Sequence, residues 1–343
     1  MPVLPDPVIA HSGQAPAPHD LWGAWNLDPA LVLGAGVAVW AYRRGRTRRH
    51  LQGDADTGRA RCFTAAVIAI GVALVSPLDA ASGALASAHM VQHVLLLLMA
   101  APLLALSAPS ITLLRGSPPA VRRATRRWRR RLGLTRDHLH ALRHPGAVWL
   151  LHVATLWFWH AAVPYDAALD HHALHVLEHA SFLVTGVLFW RVVVGARSAE
   201  RVSNGFGVLL VFGMAMQSVF LSALLTFARE PWYAGYATTT VPWHLEPLAD
   251  QQLAGVIMWI PAGLVYLGAA LALMVAWLQA TEREEIAVSS AARRGAELLT
   301  GRGSPAMISP RLGSGSAGPA PGSPGPTPGG GEDARHSVPG PPS

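Results

Sequence analysis

Hydrophobic residues are grouped along the chain into seven long runs, separated by polar or charged segments. None of the runs alternates between apolar and polar residues as a barrel strand does, so each is predicted to be a helix that satisfies its own backbone hydrogen bonds in lipid. The first two runs are the weakest, because they are short and rich in glycine and alanine. The predicted spans cover residues 25–42, 62–77, 88–108, 147–161, 173–194, 205–227 and 253–278.

The composition agrees with a protein that crosses the membrane several times. Of the 343 residues, 51% are hydrophobic and 14% are charged, a balance typical of chains whose helices face lipid. We therefore expect an all-α membrane protein, a multi-pass bundle of about seven transmembrane helices in the plasma membrane, surrounded by the lipid bilayer. The bundle is predicted to cover residues 25–280.

The basic residues predict how the bundle is oriented. All 27 are arginines, a bias typical of a GC-rich genome, and most lie in the loops after the first, third and fifth spans or beyond the last span. Loops rich in arginine stay on the cytoplasmic side, so the N-terminus is predicted to be external and the C-terminus cytoplasmic. Residues 1–24 have no signal-peptide pattern and are expected to form an external tail.

Three further segments have compositions of their own. Residues 115–144 hold the densest arginine cluster and are predicted to form a basic cytoplasmic loop whose helix lies on the inner leaflet. A nucleic-acid site would also be arginine-rich, but anionic lipid and the orientation bias account for the cluster, so we expect no nucleic-acid partner. Residues 281–300 are predicted to be a cytoplasmic helical extension, and residues 301–343, rich in Pro, Gly and Ser, a disordered tail.

Two pairs of histidines give the strongest indication of a functional site. His89 and His93 are four residues apart in the third span, and His175 and His179 repeat that spacing in the fifth. This spacing puts both imidazoles of a pair on one face of a helix, where they can bind one metal ion. In the predicted orientation the two pairs and His160, which ends the fourth span, lie near the outer membrane face. All five are therefore predicted metal ligands.

Other polar residues near the same layer are predicted to support the histidines. A carboxylate that accepts a hydrogen bond from a ligating imidazole fixes its tautomer and raises its basicity, and this role is expected for Asp166, Glu178 and Asp250. Met90 is a candidate thioether ligand, and His172 is a further supporting imidazole. Because the chain has a single cysteine, soft-metal chemistry is expected from His and Met.

A structural role for some of these histidines stays open. A lone histidine in a membrane helix is more often a hydrogen-bonded packing residue than a ligand, and this alternative applies to His160 and His172. His152 lies two turns deeper than His160 and is expected to be structural.

Several segments carry a family resemblance. They are HMVQHVLL at 89–96, APLL at 101–104, WFWH at 157–160 with YDAAL at 165–169, the stretch 175–190, and DQQLAG at 250–255 leading to WIP at 259–261. In this order, over about residues 25–280, they resemble the CtaG family of assembly factors for caa-type cytochrome c oxidases. The resemblance implies a polytopic protein needed to make active oxidase, with oxidase subunits as partners, at the step where copper reaches the outward-facing copper centre.

Several functions remain open at this point. Copper binding and handover to the oxidase is the leading hypothesis, because the histidine layer is predicted to face the side of that centre and His and Met suit copper. This role is not enzymatic. Residues 175–179 also match the His-x-x-Glu-His signature of a zinc peptidase class, so a zinc-dependent hydrolase is an alternative. A haem held by His93 and His179 is another, and a purely structural role is a fourth.

Overall fold

A computed structural model describes residues 16–48, 53–131, 133, 144–194 and 202–299, and within these ranges it contains helices and no strand. The predicted tail at 301–343, most of the N-terminal segment and part of the basic loop lie outside the described residues. In chain order the helices are α1 Pro29–Arg48, α2 Asp54–Leu74, α3 Pro77–Ser82, α4 Ala86–Val94, α5 Ala101–Ser107, α6 Pro109–Gly116, α7 Pro119–Arg131, α8 Pro145–His160, α9 Ala162–Asp170, α10 His172–Val194, α11 Asn204–Thr226 and α12 Pro247–Leu299.

Five helical segments of the described chain are long and apolar enough to cross a membrane, or six if a bent pair counts as one span. The bent pair is α8 with α9; the five others are α2, the segment Ala86–Ser107, α10, α11 and α12. The predicted count of seven is therefore not confirmed, and neither is the predicted orientation of the termini. The first predicted span, in α1, is not among these segments: its apolar part ends at Tyr42, before Arg43, and a span needs about 20 apolar residues.

The third predicted span is a helix with a local change of winding. Between α4 and α5, residues Leu95–Ala100 form π-helical turns, an arrangement that often occurs at functional sites. These turns begin two residues after His93, so α4 carries its two histidines at the point where the helix geometry changes.

The fourth predicted span ends beside a histidine, at a sharp bend into another helix. Helix α8 ends at His160, and α9 continues at an angle of 71° after Ala161 adopts an extended backbone conformation. The 16 residues of α8 are about 24 Å long, less than the roughly 30 Å of a hydrocarbon core. The bend turns α9 towards the loop between α11 and α12, which covers the site described below.

The main hydrophobic core surrounds α10. Phe182 and Phe189 are buried there with Leu97 and other side chains of the neighbouring helices. Gly186 allows α5 to lie close to α10, because a β-carbon at this position would be 3.1 Å from that of Ala101. Close packing of this kind fixes the depth of α10 relative to the third span, which decides whether the two histidine pairs meet.

The chain divides into two compact units, Met1–Glu285 and Ile286–Ser343. The first unit contains every residue of the candidate site. The described part of the second unit is the helical segment that ends at Leu299, and its described side chains are mostly exposed.

Candidate metal centre

Four buried side chains from two helices converge on one point. One ligand atom from each of His89, His175, Glu178 and His179 lies within 4.8 Å of all the others. Helix α4 supplies His89, and the first two turns of α10 supply the rest. The i,i+4 spacing of His175 and His179 places both rings on the face of α10 that meets α4, with their centroids 4.3 Å apart. We call these four residues the His–Glu cluster.

The carboxylate of Glu178 lies between the two histidines of α4. Its Oε2 is 3.5 Å from Nε2 of His89, and its Oε1 is 3.5 Å from Nε2 of His93. The side chain is fully buried, and neither oxygen makes a hydrogen bond within the described residues. A buried carboxylate is costly unless a cation or hydrogen bonds compensate it. Glu178 was predicted to support a ligand, but its position is that of a candidate ligand itself.

His93 and His160 lie beside the His–Glu cluster. The ring of His93 is 4.4 Å from that of His89 and 5.7 Å from that of His160, centroid to centroid. Nδ1 of His160 is 2.7 Å from the carbonyl oxygen of Leu156. Because a carbonyl can only accept, Nδ1 carries the proton and Nε2 keeps its lone pair. The structure thus brings all five predicted histidines into one buried group.

A tyrosine from the loop between α11 and α12 contacts one of the candidate ligands. The hydroxyl of Tyr236 donates to the carbonyl of Ser82 at 2.8 Å and is 3.2 Å from Nδ1 of His89. The hydroxyl has one proton, which it donates to Ser82, so it accepts a hydrogen bond from Nδ1–H of His89. Nε2 of His89 then carries no proton, and its lone pair lies on the side of Glu178. Burial raises the pKa of Tyr236 well above its ordinary value, so the hydroxyl stays protonated.

The predicted support from Asp166 takes a different form. Its two carboxylate oxygens accept from the backbone N–H groups of Ala234 and Gly235, at 3.1 and 3.2 Å. These bonds hold the loop that carries Tyr236. In the same loop, Tyr233 donates to the carbonyl of His160 at 3.1 Å. Asp166 therefore acts on the site through the loop.

Asp250 also has a role other than the predicted one. It accepts from the backbone N–H groups of Ala86 and Ser87, at 2.6 and 3.3 Å, and from the hydroxyl of Ser87. These are the first donors of α4, which have no carbonyl partner within the helix. Asp250 thus fixes the start of α4 three residues before His89.

Met90, His172 and His152 are the remaining residues to which the sequence analysis assigned a role. Met90 is fully buried and lines a small cavity next to His93. His172 was predicted to support the metal site, but its side chain is half exposed and its Nε2 is 3.7 Å from Asp28, because it lies at the first residue of α10 where the helix reaches the surface. His152 contacts the hydroxyl of Thr185 at 2.9 Å, in agreement with a structural role.

Sequence reasoning did not identify Tyr236 as part of the site. It is 147 residues from His89 and lies in a loop without a recognisable motif. The nearest signal was Tyr165 in the family-like segment of α9, whose hydroxyl is 3.3 Å from that of Tyr236.

Comparison with known proteins places this site in a family. The chain matches the family model of the cytochrome c oxidase caa3 assembly factor over residues 37–280. Uncharacterized proteins of Mycobacterium bovis and Mycobacterium tuberculosis are each 26% identical to it over 270 residues, covering 76% of this chain and 40% of theirs. The chain thus spans about 40% of the length of the curated relatives it matches. No solved structure matches the chain.

The family match covers most of the chain and the entire site. It includes α4, α10 and the loop with Tyr236, and therefore each of the buried histidines and Glu178. The chain belongs to the cytochrome c oxidase caa3 assembly factor family.

Proposed function

We propose that the protein binds copper at the His–Glu cluster and hands it to cytochrome c oxidase during assembly of the oxidase. The observation that carries this proposal is the position of Glu178, a fully buried carboxylate among histidine nitrogens. Uncompensated polar and ionisable groups are expensive inside a membrane protein and occur mainly where they serve a function. A bound cation would offset the cost of the carboxylate and use the imidazole lone pairs at the same time.

The choice of copper rests on the donors and on the family. Imidazole suits copper, zinc, iron and nickel, so the His–Glu cluster alone does not select one of them. Membership of an oxidase assembly family favours copper, because the expected role is to supply the oxidase copper centre.

The geometry favours metal binding over hydrolysis. In the His-x-x-Glu-His enzymes the two histidines hold zinc and the glutamate activates water. Here the carboxylate of Glu178 lies within 4.8 Å of the imidazole nitrogens as a fourth candidate ligand. All four side chains are buried, whereas hydrolysis needs access for water and substrate.

The geometry also favours a single ion over haem. A haem requires a flat slot between two opposed axial imidazoles. The rings of His93 and His179 are 5.4 Å apart, centroid to centroid, and belong to a group that surrounds one carboxylate. Such convergence suits a small cation.

The proposal is tested by the copper content of the oxidase in cells. A strain without this protein is complemented with the wild-type chain, with His179→Ala, or with His172→Ala as a control. Both substitutions remove an imidazole from α10, but His179 belongs to the His–Glu cluster and His172 is half exposed.

We expect His179→Ala to lower the copper content and activity of the purified oxidase severalfold or more, and His172→Ala to leave both near the wild-type level. Immunoblots of the membrane fraction establish that each variant is present. Full oxidase copper with a well-expressed His179→Ala variant would refute the proposal.

A further inference from the structure

A second group of donors surrounds a small cavity beside the His–Glu cluster. The cavity has a volume of about 20 Å³, room for about one water-sized particle. Its lining includes the hydroxyl-bearing residues Ser218 and Tyr266 and several aliphatic side chains. The lining residues with nitrogen or sulfur donors are His93, His160, Met90 and Met258. We call these four residues the His–Met group.

The two imidazoles of the His–Met group have nitrogen atoms without a hydrogen bond. His93 and His160 are 3% and 2% exposed. Neither ring nitrogen of His93 makes a hydrogen bond within the described residues, and neither does Nε2 of His160. Buried polar atoms are nearly always satisfied in folded proteins, so such a concentration indicates a ligand. Since Nδ1 of His160 is occupied by the Leu156 carbonyl, its Nε2 is the atom available to a metal.

The two methionine thioethers of this cavity differ in their surroundings from the thioether of another buried methionine. The sulfur of another buried methionine, Met214, accepts a hydrogen bond from Gln217 at 3.3 Å. Met90 and Met258 instead line the cavity together with the two histidines. Two imidazoles and two thioethers form a neutral, soft donor set, which selects Cu(I) over Zn(II) or Cu(II).

We infer that the His–Met group is a second, Cu(I)-selective site, adjoining the His–Glu cluster and exchanging copper with it. This inference rests on the proposed function. His93 connects the two sites, because its Nε2 is 3.5 Å from Glu178 and its ring also borders the cavity. The ion remains Cu(I) throughout, since transfer exchanges imidazole, carboxylate and thioether ligands and needs no electron donor.

The inference is tested by anaerobic titration of the purified full chain in detergent with Cu(I), against a chromophoric Cu(I) chelator. We expect the wild type to bind two Cu(I) ions per chain and Zn(II) to occupy a single site. X-ray absorption at the copper edge should show sulfur ligands in the doubly loaded protein.

The test variant carries Met90→Leu and Met258→Leu, which keep side-chain volume and hydrophobicity and are therefore tolerated in packed cores. It should bind one Cu(I) ion, without sulfur ligands. The control is Met216→Leu, a substitution on the exposed side of α11, and it should keep two ions and the sulfur signal.

The possible failures are separable. One Cu(I) ion in the wild type with no sulfur ligand, or two ions and unchanged sulfur in the Met90→Leu, Met258→Leu variant, overturns the second site and leaves the proposed function standing. No copper binding at all by folded wild-type protein overturns both.

Discussion

Replacing Glu178 by glutamine is the most informative single substitution, because it removes one negative charge and changes almost nothing else. Glutamine has the same shape and keeps one carbonyl acceptor. An ion bound among ligand atoms that lie within 4.8 Å of one another is close to the carboxylate. Two unit charges about 4 Å apart interact by about 4 kcal/mol at an effective dielectric constant of 20. Desolvation of the carboxylate offsets part of this, so we expect Kd for copper to rise by about two to three orders of magnitude.

The metal-free protein should respond in the opposite way. Without an ion, Glu178 is a buried carboxylate with no hydrogen bond to either oxygen, and a neutral amide is cheaper to bury. We therefore expect the Tm of metal-free Glu178→Gln to be equal to or higher than that of the wild type. Where copper saturates the wild type, a hundredfold loss of affinity removes about 2.7 kcal/mol of ligand-dependent stabilisation.

The assay combines chelator competition for Kd with thermal denaturation in the presence and absence of copper. Glu230→Gln is the matched control, because Glu230 is exposed and its charge is screened by solvent. Our reasoning is refuted if Glu178→Gln binds copper as tightly as the Glu230→Gln control. A large fall in the Tm of the metal-free protein would show instead that Glu178 is structural.

Three further predictions follow from the structure. Tyr236→Phe removes the acceptor for Nδ1 of His89 and should weaken metal binding about tenfold to a hundredfold in the same competition assay; unchanged affinity contradicts the role given to this hydroxyl. Asp250→Ala leaves the first N–H groups of α4 without their acceptor and should lower the free energy of unfolding by about 1–3 kcal/mol, measured by denaturation, while the folded fraction keeps its metal stoichiometry. Reporter fusions should read cytoplasmic at Arg130 and external at Asp170; the reverse result would place the site near the inner membrane face.

The convergence of the histidines could be anticipated from the sequence because it depends on local periodicity. Side chains four residues apart lie on the same face of a helix. The sequence therefore predicts that the two histidines of each pair, in α4 and in α10, face the same side. The arginine pattern then suggested a common depth. The structure brings the two pairs together, with Glu178 on the same face of α10 as His175.

The parts that could not be anticipated depend on contacts between distant segments. Tyr236 reaches His89 because Asp166 holds its loop, and Asp250 caps a helix that begins 164 residues earlier. No local pattern encodes such pairings. The end of the fourth span at residue 161 was predicted, but the helix that follows it, α9, was not, because hydropathy records where an apolar run ends and not the direction that the extended backbone at Ala161 gives to the next segment.

The most direct test of copper binding at the His–Glu cluster is the copper content of the purified, folded protein, measured by mass spectrometry. The comparison is between the wild type, a His175→Ala, His179→Ala variant, and the His172→Ala control. We predict at least one copper ion per chain in the wild type and the control, and a loss of at least one equivalent in the double variant. Equal copper content in all three proteins would contradict the assignment of this cluster as the copper site.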